Sequence, residues 1–376
     1  MPQESQSCQR INILDERHNM LHSKVLSLVS GLIALWCSGC GAGASVESSI
    51  SDRLTLGAFS VTREVFHDGL IPAFQKVWFE KTGRSLKFEE SYLASGALSR
   101  AIGGGFDADV AVFSLDPDVE PLVKAGLVDQ TWNAGPSKGH VTRSLVVIGY
   151  RPDNPHKIQD WRDLAKPEVS VVYADPKTSG GARWNILAVA AGGYWPDSTE
   201  PASGKMNTAS AESLLAAVQK RVSVMDGSGR QSLATFLRNS GDAIITYEND
   251  LVQCQRLTGR QMPYVIPNRS LWIEIPAVEV VGTTKKNGRS ETAKAFLDFL
   301  KTPEAAAIWA EYGFRPATGS GQVQGLPAVP KGVVTVAQLG GWKKAREAVF
   351  GMDGLWSRGF LKEKSRDANT PKASGK

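Results

Sequence analysis

Residues 169–191 have the sequence VSVVYADPKTSGGARWNILAVAA, and this stretch decides the fold. Val169 to Ala174 is a short hydrophobic run rich in β-branched residues, which favours a strand. The apolar segment from Trp184 to Ala191 is typical of a helix. Residues 175–183 connect them through a Pro/Ser/Gly turn. A strand that turns directly into a helix is the repeating unit of α/β proteins, so we predict that class here.

The turn also has the composition of an anion-binding nest. The first N–H groups of a helix lack an intrahelical acceptor, and the helix dipole adds a partial positive charge there. Ser179 offers a hydroxyl beside the N–H groups of Gly180 and Gly181. The hydroxyl and the successive N–H groups can therefore point at one small anion.

Composition limits the other possibilities. The chain has 376 residues, of which 42% are hydrophobic and 22% charged, so it can bury a core and form two globular lobes. The formal net charge of +5 is small for this length, and the Lys/Arg runs are short. These features argue against disorder and against a nucleic-acid partner.

An export signal is predicted near the N-terminus. The apolar run from Val25 to Trp36 is shorter than the roughly 20 residues that span a membrane. The segment Cys37-Ser38-Gly39-Cys40 that follows resembles a bacterial lipobox, with Cys37 in place of the usual Leu. We predict that residues 1–40 are a leader and lipoprotein-type signal peptide, with translation starting at Met20. The expected location is the periplasm, with anchoring to the membrane through a lipidated Cys40.

Cysteine content points away from a metal centre. After removal of the signal peptide and lipidation of Cys40, only Cys254 remains as a thiol. A single thiol forms neither an internal disulfide nor a cysteine metal site, so we expect a small buried residue. We expect no metal ion and no cofactor.

Strand-like and helix-like runs alternate along the rest of the chain. From Glu64 to Trp78, apolar residues including Phe66, Leu70 and Phe74 recur at helical spacing. The alternation predicts an α/β fold with mostly parallel sheets. The predicted strands are Leu54 to Phe59, Leu86 to Glu90, Ala108 to Ser114, Arg143 to Tyr150, Val169 to Ala174, Val222 to Met225, Ala243 to Tyr247 and Val278 to Gly282.

Four of these strands end in small or polar residues just before a helix-like segment. Ligands of open α/β sheets lie beyond the carboxyl ends of the strands, where all four turns are expected. One such turn is typical of an ordinary N-cap, whereas four together can surround one anion with helix starts. The turns are Phe59-Ser60-Val61-Thr62, Ser91-Tyr92-Leu93-Ala94-Ser95-Gly96, Thr178-Ser179-Gly180-Gly181 and Asp226-Gly227-Ser228-Gly229-Arg230.

An ordered series of motifs adds a family resemblance. Pro176-Lys177-Thr178-Ser179-Gly180-Gly181-Ala182-Arg183-Trp184-Asn185 matches almost letter for letter the most specific signature of bacterial periplasmic sulfate-binding proteins. These are the solute receptors of sulfate/thiosulfate ABC importers, and the resemblance runs from about Leu54 to Phe350. Further matches are Thr62-Arg63-Glu64, Ala108-Asp109-Val110, Asn154-Pro155, Ile158-Gln159-Asp160-Trp161, Glu248-Asn249, Phe314-Arg315-Pro316 and Gly340-Gly341-Trp342.

The resemblance implies which residues hold the ligand. In that family a dehydrated dianion is bound by backbone N–H groups, one serine hydroxyl and one indole N–H. By position, the hydroxyl is that of Ser179, and Tyr247 stands where the indole is expected. The implied N–H donors are Ser60, Ser95, Gly180, Gly181 and Gly229.

Two positions depart from the family pattern. Ser60 replaces an aspartate, which a main-chain contact tolerates, and Tyr247-Glu248-Asn249 replaces Trp-Glu-Asn. A phenol donates through its O–H but, unlike an indole, can also accept. Ligand identity therefore depends on Tyr247.

Charged residues near the turns are expected to support the site rather than touch the ligand. Arg63, Arg183 and Arg230 each follow one of the turns, and we expect them to pair with carboxylates behind the site or between the lobes. Glu248 is expected to brace its loop, and Trp184 to pack.

A site that contains only donors suits a fully deprotonated tetrahedral oxyanion such as sulfate. Hydrogen phosphate carries a proton that such a site leaves unpaired, at a cost of about 1 to 3 kcal/mol. We expect rejection of phosphate unless Asp226, Glu248 or the Tyr247 oxygen reaches the ligand. Thiosulfate, molybdate and tungstate remain alternative ligands, whereas a ferric ion is disfavoured because only Tyr247 offers a phenolate.

A hydrolase with Ser179 as nucleophile is the alternative from another functional class. A catalytic serine needs a base, usually a histidine oriented by a carboxylate. No motif places His140 or His156 beside Ser179, and with His67 they are expected to be surface or capping residues. We expect no catalytic residue.

The resemblance also implies a periplasmic-binding-protein fold of type II, with two lobes, a hinge and a ligand cleft between the lobes. The expected first lobe comprises residues 52–142 and 284–350, the second comprises residues 143–283, and residues 351–376 form a tail. Bound ligand would favour closure, which the permease and ATPase subunits of an importer would detect. The receptor is expected to be a monomer.

Overall fold

The computed structural model describes residues 52–195 and 205–358. The predicted signal peptide, Cys40 and residues 359–376 of the predicted tail lie outside the described residues. The strands are β1 Asp52–Phe59, β2 Leu86–Leu93, β3 Val110–Val112, β4 His140–Tyr150, β5 Val171–Ala174, β6 Val222–Asp226, β7 Ala243–Tyr247, β8 Tyr264–Val265 and β9 Trp272–Glu279.

Helices alternate with these strands, as predicted. Short 3-10 helices span Ser60–Thr62, Asp116–Asp118, Trp161–Ala165 and Ala337–Leu339, and a π turn spans Phe66–Leu70. The α-helices are α1 Arg63–Val65, α2 Ile71–Thr82, α3 Ser95–Gly103, α4 Glu120–Lys124, α5 Gly180–Tyr194, α6 Thr208–Gln219, α7 Gly229–Leu237, α8 Glu248–Thr258, α9 Val281–Asn287, α10 Ser290–Phe299, α11 Pro303–Glu311 and α12 Gly341–Phe350.

The last predicted strand is largely wrong. The strand lies earlier, at Trp272–Glu279, and Val281 already begins α9. Pro276 hides the strand in the sequence because proline lacks the N–H that a sheet requires. In the structure Pro276 pairs with His140 next to an irregularity in the register of β4, a place where proline is tolerated.

The strands form one continuous order, β2-β1-β3-β9-β4-β7-β5-β6, with β8 beside β4. β1 is parallel to β2 and β3, and β5 is parallel to β6 and β7. Every pairing made by β4 or β9 is antiparallel, so half of the pairings are antiparallel and the prediction of mostly parallel sheets is wrong. The sequence pattern of β4 and β9 does not reveal that these two strands run antiparallel to their neighbours.

β4 and β9 divide the fold into two lobes. β4 pairs with β9 up to Leu145 and with β7 from Val146 onward. β9 pairs with β4 from Trp272 to Pro276 and with β3 from Ala277 onward. These two crossing strands join the first lobe, built around β1–β3, to the second lobe, built around β5–β7.

The two lobes pack their helices differently. In the first lobe, Phe66 and Phe74 lie on the predicted apolar face and pack against Phe296 of α10, with ring centroids 6.2 and 5.0 Å apart. In the second lobe, α5 is buried along most of its length, as expected of a helix that is apolar on all sides. A buried α5 holds its own N-terminus rigidly at the end of β5.

None of the helices in residues 52–195 and 205–358 is long and apolar enough to span a membrane.

Candidate functional site

Five helical segments begin where five strands end. The 3-10 helix at Ser60 follows β1, α3 follows β2, α5 follows β5, α7 follows β6 and α8 follows β7. Within each lobe these strands are parallel, so their carboxyl ends lie at the same edge of the sheet. The sequence predicted four of these starts, and the fifth, at Tyr247, was recognised only through the family resemblance.

A cavity of about 40 Å³ lies where the helix starts meet. This volume holds about three water molecules, which suits a small tetrahedral oxyanion and is too small for a sugar. All seven predicted ligand-binding residues line it, and none of the described residues that line it is a lysine or an arginine. The lining residues are Phe59, Ser60, Val61, Ala94, Ser95, Ser114, Ala174, Ser179, Gly180, Gly181, Ala182, Asn185, Ser228, Gly229, Thr246, Tyr247 and Asp250.

Ser179 is the N-cap of α5. Its Oγ accepts a hydrogen bond from the Ala182 N–H at 3.4 Å, which is long for such a bond. A hydroxyl that accepts still has its own hydrogen to donate. Ser179 can therefore cap the helix and donate into the cavity at the same time.

Gly180 and Gly181 bring the backbone of α5 close to the opposite wall. A Cβ at Gly180 would lie 3.1 Å from the Ser114 Oγ, and a Cβ at Gly181 would lie 3.1 Å from the Tyr247 hydroxyl. Larger residues would push into the space that a ligand needs. Gly229 at the start of α7 differs, because a Cβ there would have no atom within 4 Å.

Ser95 begins α3, and its side chain is already occupied. The Oγ donates to Asp118 Oδ2 at 2.5 Å and accepts from the Ser114 N–H at 2.9 Å. Burial raises the pKa of Asp118, while the Ser95 bond and the charges of Arg183 and Arg100 lower it. Ser95 is thus left with its backbone N–H for the cavity, which is the role predicted for it.

Tyr247 is buried at the end of β7 and is the N-cap of α8. Its hydroxyl makes no hydrogen bond of normal length within the described residues. Burial raises the pKa of the phenol well above its usual value, and the charge of Asp250 adds to this, while the nearby Ser114 hydroxyl lowers it. The phenol stays protonated and has an O–H to donate.

Sequence reasoning missed several polar residues of the cavity wall, including Ser114, Asn185 and Asp250. Burial raises the pKa of the Asp250 carboxyl to about 6, against a hydrogen bond from Thr246 that lowers it. The Asn185 Oδ1 has no hydrogen-bond partner among the described residues. Two sequence features could have indicated these residues. Ser114 ends a predicted strand, and Asp250 follows Tyr247 by one helical turn.

These residues correct the donor-only description of the site. Asn185, Asp250 and the Tyr247 oxygen are acceptors on the cavity wall. Asp226 and Glu248, which were named as possible acceptors, do not line it. Rejection of phosphate therefore no longer follows from the chemistry of the wall.

Glu248 lies behind the cavity in a fully buried ion pair. Its two carboxylate oxygens accept from Arg315 Nε at 2.5 Å and Nη2 at 2.7 Å, and Tyr264 donates to it at 3.0 Å. The pair links two of the sequence motifs and fixes the start of α8. Removal of one partner would leave a buried unpaired charge, so this contact braces the Tyr247 turn.

The arginines that follow the turns lie outside the cavity lining. Arg230 of α7 donates to both oxygens of Glu64, at 2.8 and 2.9 Å, and to the Ser60 carbonyl at 3.1 Å, so it links the two lobes. Arg63 lies over the Tyr92 ring, 5.5 Å from its centroid, instead of making the expected carboxylate pair. Arg183 donates to the Pro176 carbonyl at 3.4 Å.

His140 is buried, so the expectation of a surface residue is wrong for it. Its Nε2 lies 2.9 Å from Asp116 Oδ1, and its position on the crossing strand β4 explains the burial.

Trp184 packs as expected: its indole donates to the Ser114 carbonyl at 2.7 Å, and it meets the Trp342 ring edge-on. Among the described residues, no histidine lines the cavity, and no cluster of three or more metal-ligating side chains occurs.

Two α/β lobes joined by crossing strands, with a small cavity between helix starts of both lobes, define a receptor for a small solute. Residues 62–315 match the profile of a family described as bacterial extracellular solute-binding protein. The chain belongs to this family, alongside its sulfate-binding members.

Individual relatives support the assignment over nearly the whole chain. The sulfate-binding protein of Synechococcus elongatus is 36% identical, over 90% of this chain and 95% of that protein. The thiosulfate-binding protein of Escherichia coli K12 is 29% identical, over 79% of this chain and 84% of that protein. The solved structure of the sulfate-binding protein SubI from Mycobacterium tuberculosis H37Rv is 32% identical, with a TM-score of 0.69 over 80% of this chain and 99% of that one.

Proposed function

We propose that the protein is an extracytoplasmic receptor that captures sulfate and delivers it to an ABC importer. The observation that carries this proposal is the cavity of about 40 Å³ at five helix starts, which is lined by hydroxyl groups and, within residues 52–195 and 205–358, by no lysine or arginine. The similarity of the chain to sulfate-binding proteins supports the same ligand.

In this proposal each predicted residue donates one type of hydrogen bond to the ligand. Ser179 and Tyr247 donate through their hydroxyl groups, and the backbone N–H groups come from Ser60, Ser95, Gly180, Gly181 and Gly229. Hydrogen bonds to a charged group contribute roughly 1.5 to 3 kcal/mol each. About seven of them offset dehydration and closure and leave micromolar binding or tighter, about −8 kcal/mol.

The lobes close on the ligand around the crossing strands. The proposed first lobe is residues 52–142 and 284–350, and the second is 143–283. The change of partner within β4, from β9 to β7 after Leu145, supports a hinge in this region. We further propose that Cys40 anchors the protein to the outer face of the cytoplasmic membrane as a monomer, so that the closed form meets the permease.

Thiosulfate is the second candidate ligand. It is favoured by the relative from Escherichia coli K12 that is named as a thiosulfate-binding protein. The larger molybdate and tungstate ions need more room, which the small cavity disfavours. An esterase function of Ser179 has little support because no histidine of the described chain lines the cavity.

Thermal unfolding of the purified protein with a panel of anions tests this function. If sulfate binds with a Kd near 10 μM, 1 mM sulfate stabilises the fold by about 2.7 kcal/mol, which raises Tm by several degrees. Thiosulfate, molybdate, phosphate and chloride at equal ionic strength are the comparisons. An equal shift with chloride and sulfate would refute a sulfate receptor.

A further inference from the structure

Ser114 is held from both lobes by its main chain. Its N–H donates to the Ser95 Oγ at 2.9 Å, and its carbonyl accepts from the Trp184 indole at 2.7 Å. Both backbone groups are therefore satisfied, and the position of this residue just beyond β3 is fixed. Its Oγ lies near the Tyr247 hydroxyl but makes no hydrogen bond of normal length within the described residues.

That side chain is buried and faces the cavity. Ser114 is 1% exposed, and its Oγ has no hydrogen-bond partner of normal length among the described residues. Buried hydroxyl groups are nearly always hydrogen-bonded, so an unpaired one that lines a cavity indicates a missing partner. The Tyr247 hydroxyl has the same features, with the residue 3% exposed and the same cavity in front of it.

The two hydroxyl groups face the same helix start. A Cβ added to Gly180 would lie 3.1 Å from the Ser114 Oγ. A Cβ added to Gly181 would lie 3.1 Å from the Tyr247 hydroxyl oxygen. An oxyanion seated on the first N–H groups of α5 would therefore contact both. One hydroxyl comes from the first lobe and the other from the second.

We propose that Ser114 is a ligand-binding residue and that it forms, with Tyr247, a pair of hydroxyl donors that recognises the oxyanion from both lobes. This inference rests on the proposed function, since it names a further contact in the same site. Ser114 donates either to the ligand or to the Tyr247 oxygen, which in turn donates to the ligand. In both arrangements sulfate affinity depends on both hydroxyl groups.

Calorimetric titration with sulfate tests the pair in Ser114→Ala, Tyr247→Phe and the double variant. Each single variant should bind about tenfold more weakly, as expected for the loss of one hydrogen bond to a charged group. Ser232→Ala is the matched control, because its Oγ is also buried and without a partner among the described residues but lies outside the cavity lining. That variant should bind like the wild type.

Ser114→Cys provides a second test that leaves no hole in place of the hydroxyl, because the slightly larger thiol fills the space but is a weak donor. It should show the same loss as Ser114→Ala, with an unchanged circular dichroism spectrum. Sulfate binding by the wild type together with affinity within twofold in both Ser114 variants would overturn this inference and leave the proposed function standing. Absence of sulfate binding by the wild type would overturn both.

Discussion

At the scale of single residues, Ser179 combines two tasks that use different parts of its hydroxyl group, the oxygen as acceptor and the hydrogen as donor. A serine N-cap uses its oxygen as an acceptor for backbone N–H groups, and Ser179 does so only across 3.4 Å to Ala182. The weak cap leaves the hydroxyl free to orient its hydrogen toward the cavity. The main contribution of this side chain is therefore expected to be to binding rather than to helix stability.

Ser179→Ala should weaken sulfate binding by about 1 to 3 kcal/mol and leave Tm of the free protein nearly unchanged. Thr302→Ala is the matched control, since Thr302 caps α11 with a bond of 3.2 Å to Ala305 and lies outside the cavity lining. It should lower the free energy of unfolding by about 1 kcal/mol and leave affinity unchanged. Equal affinities of Ser179→Ala and the wild type would remove Ser179 from the site.

Asp250 should make sulfate binding depend on pH. Burial raises the pKa of this carboxyl to about 6, so it is ionised at pH 7.5 and neutral at pH 5. Sulfate remains a dianion over this range, and a carboxylate in the cavity wall repels it. Affinity should therefore rise by about tenfold as pH falls from 7.5 to 5.

Asp250→Asn should bind sulfate more tightly than the wild type at pH 7.5 and should lose most of the pH dependence. Asp298→Asn, at an exposed position on α10, should keep the profile of the wild type. Titrations at several pH values measure both. A wild-type affinity that falls on acidification would contradict this account of Asp250.

At the scale of elements, the site consists of helix starts that parallel strands place at one edge of a sheet. This part was predictable because the strand, the turn and the helix start are consecutive in sequence, as at Ser179 and Gly229. Ser114 and Asp250 were not, because Ser114 lies between β3 and the 3-10 helix at Asp116–Asp118, outside any helix start of the site, and Asp250 lies inside a helix. Only the tertiary arrangement brings them to the cavity.

The same substitution should lower sulfate affinity at one helix start and leave it unchanged at another. Gly181→Ala places a Cβ 3.1 Å from the Tyr247 hydroxyl and should reduce sulfate affinity about tenfold or more. Gly229→Ala adds a methyl group to open space and keeps the N–H, so affinity should stay within about twofold. Similar losses in both variants, measured by calorimetry, would show that these glycines are needed for another reason.

At the scale of the whole molecule, the two crossing strands and a few further contacts join the two lobes. The alternation of strands and helices predicted the α/β class. The register change in β4 and the antiparallel direction of β9 depend on contacts distant in sequence and were not predicted. Arg230 and Glu64 add a pair that forms across the cleft beside the cavity.

Glu64→Gln should weaken sulfate binding several-fold, because the ion pair with Arg230 helps to hold the lobes together. The effect is modest because the Arg230 side chain is 43% exposed, and salt should reduce it further. Glu89→Gln removes an exposed pair with Arg53 inside the first lobe and should leave affinity unchanged. Equal affinities of the two variants would show that the pair across the cleft does not stabilise closure.

If the helix starts of both lobes enclose one sulfate ion, the purified wild-type protein binds a single sulfate, and calorimetric titration measures both the number of sites and the affinity. We expect one sulfate per chain with a Kd in the micromolar range or tighter, and we expect thiosulfate to compete more effectively than chloride. Absence of sulfate binding at millimolar concentration would contradict this expectation.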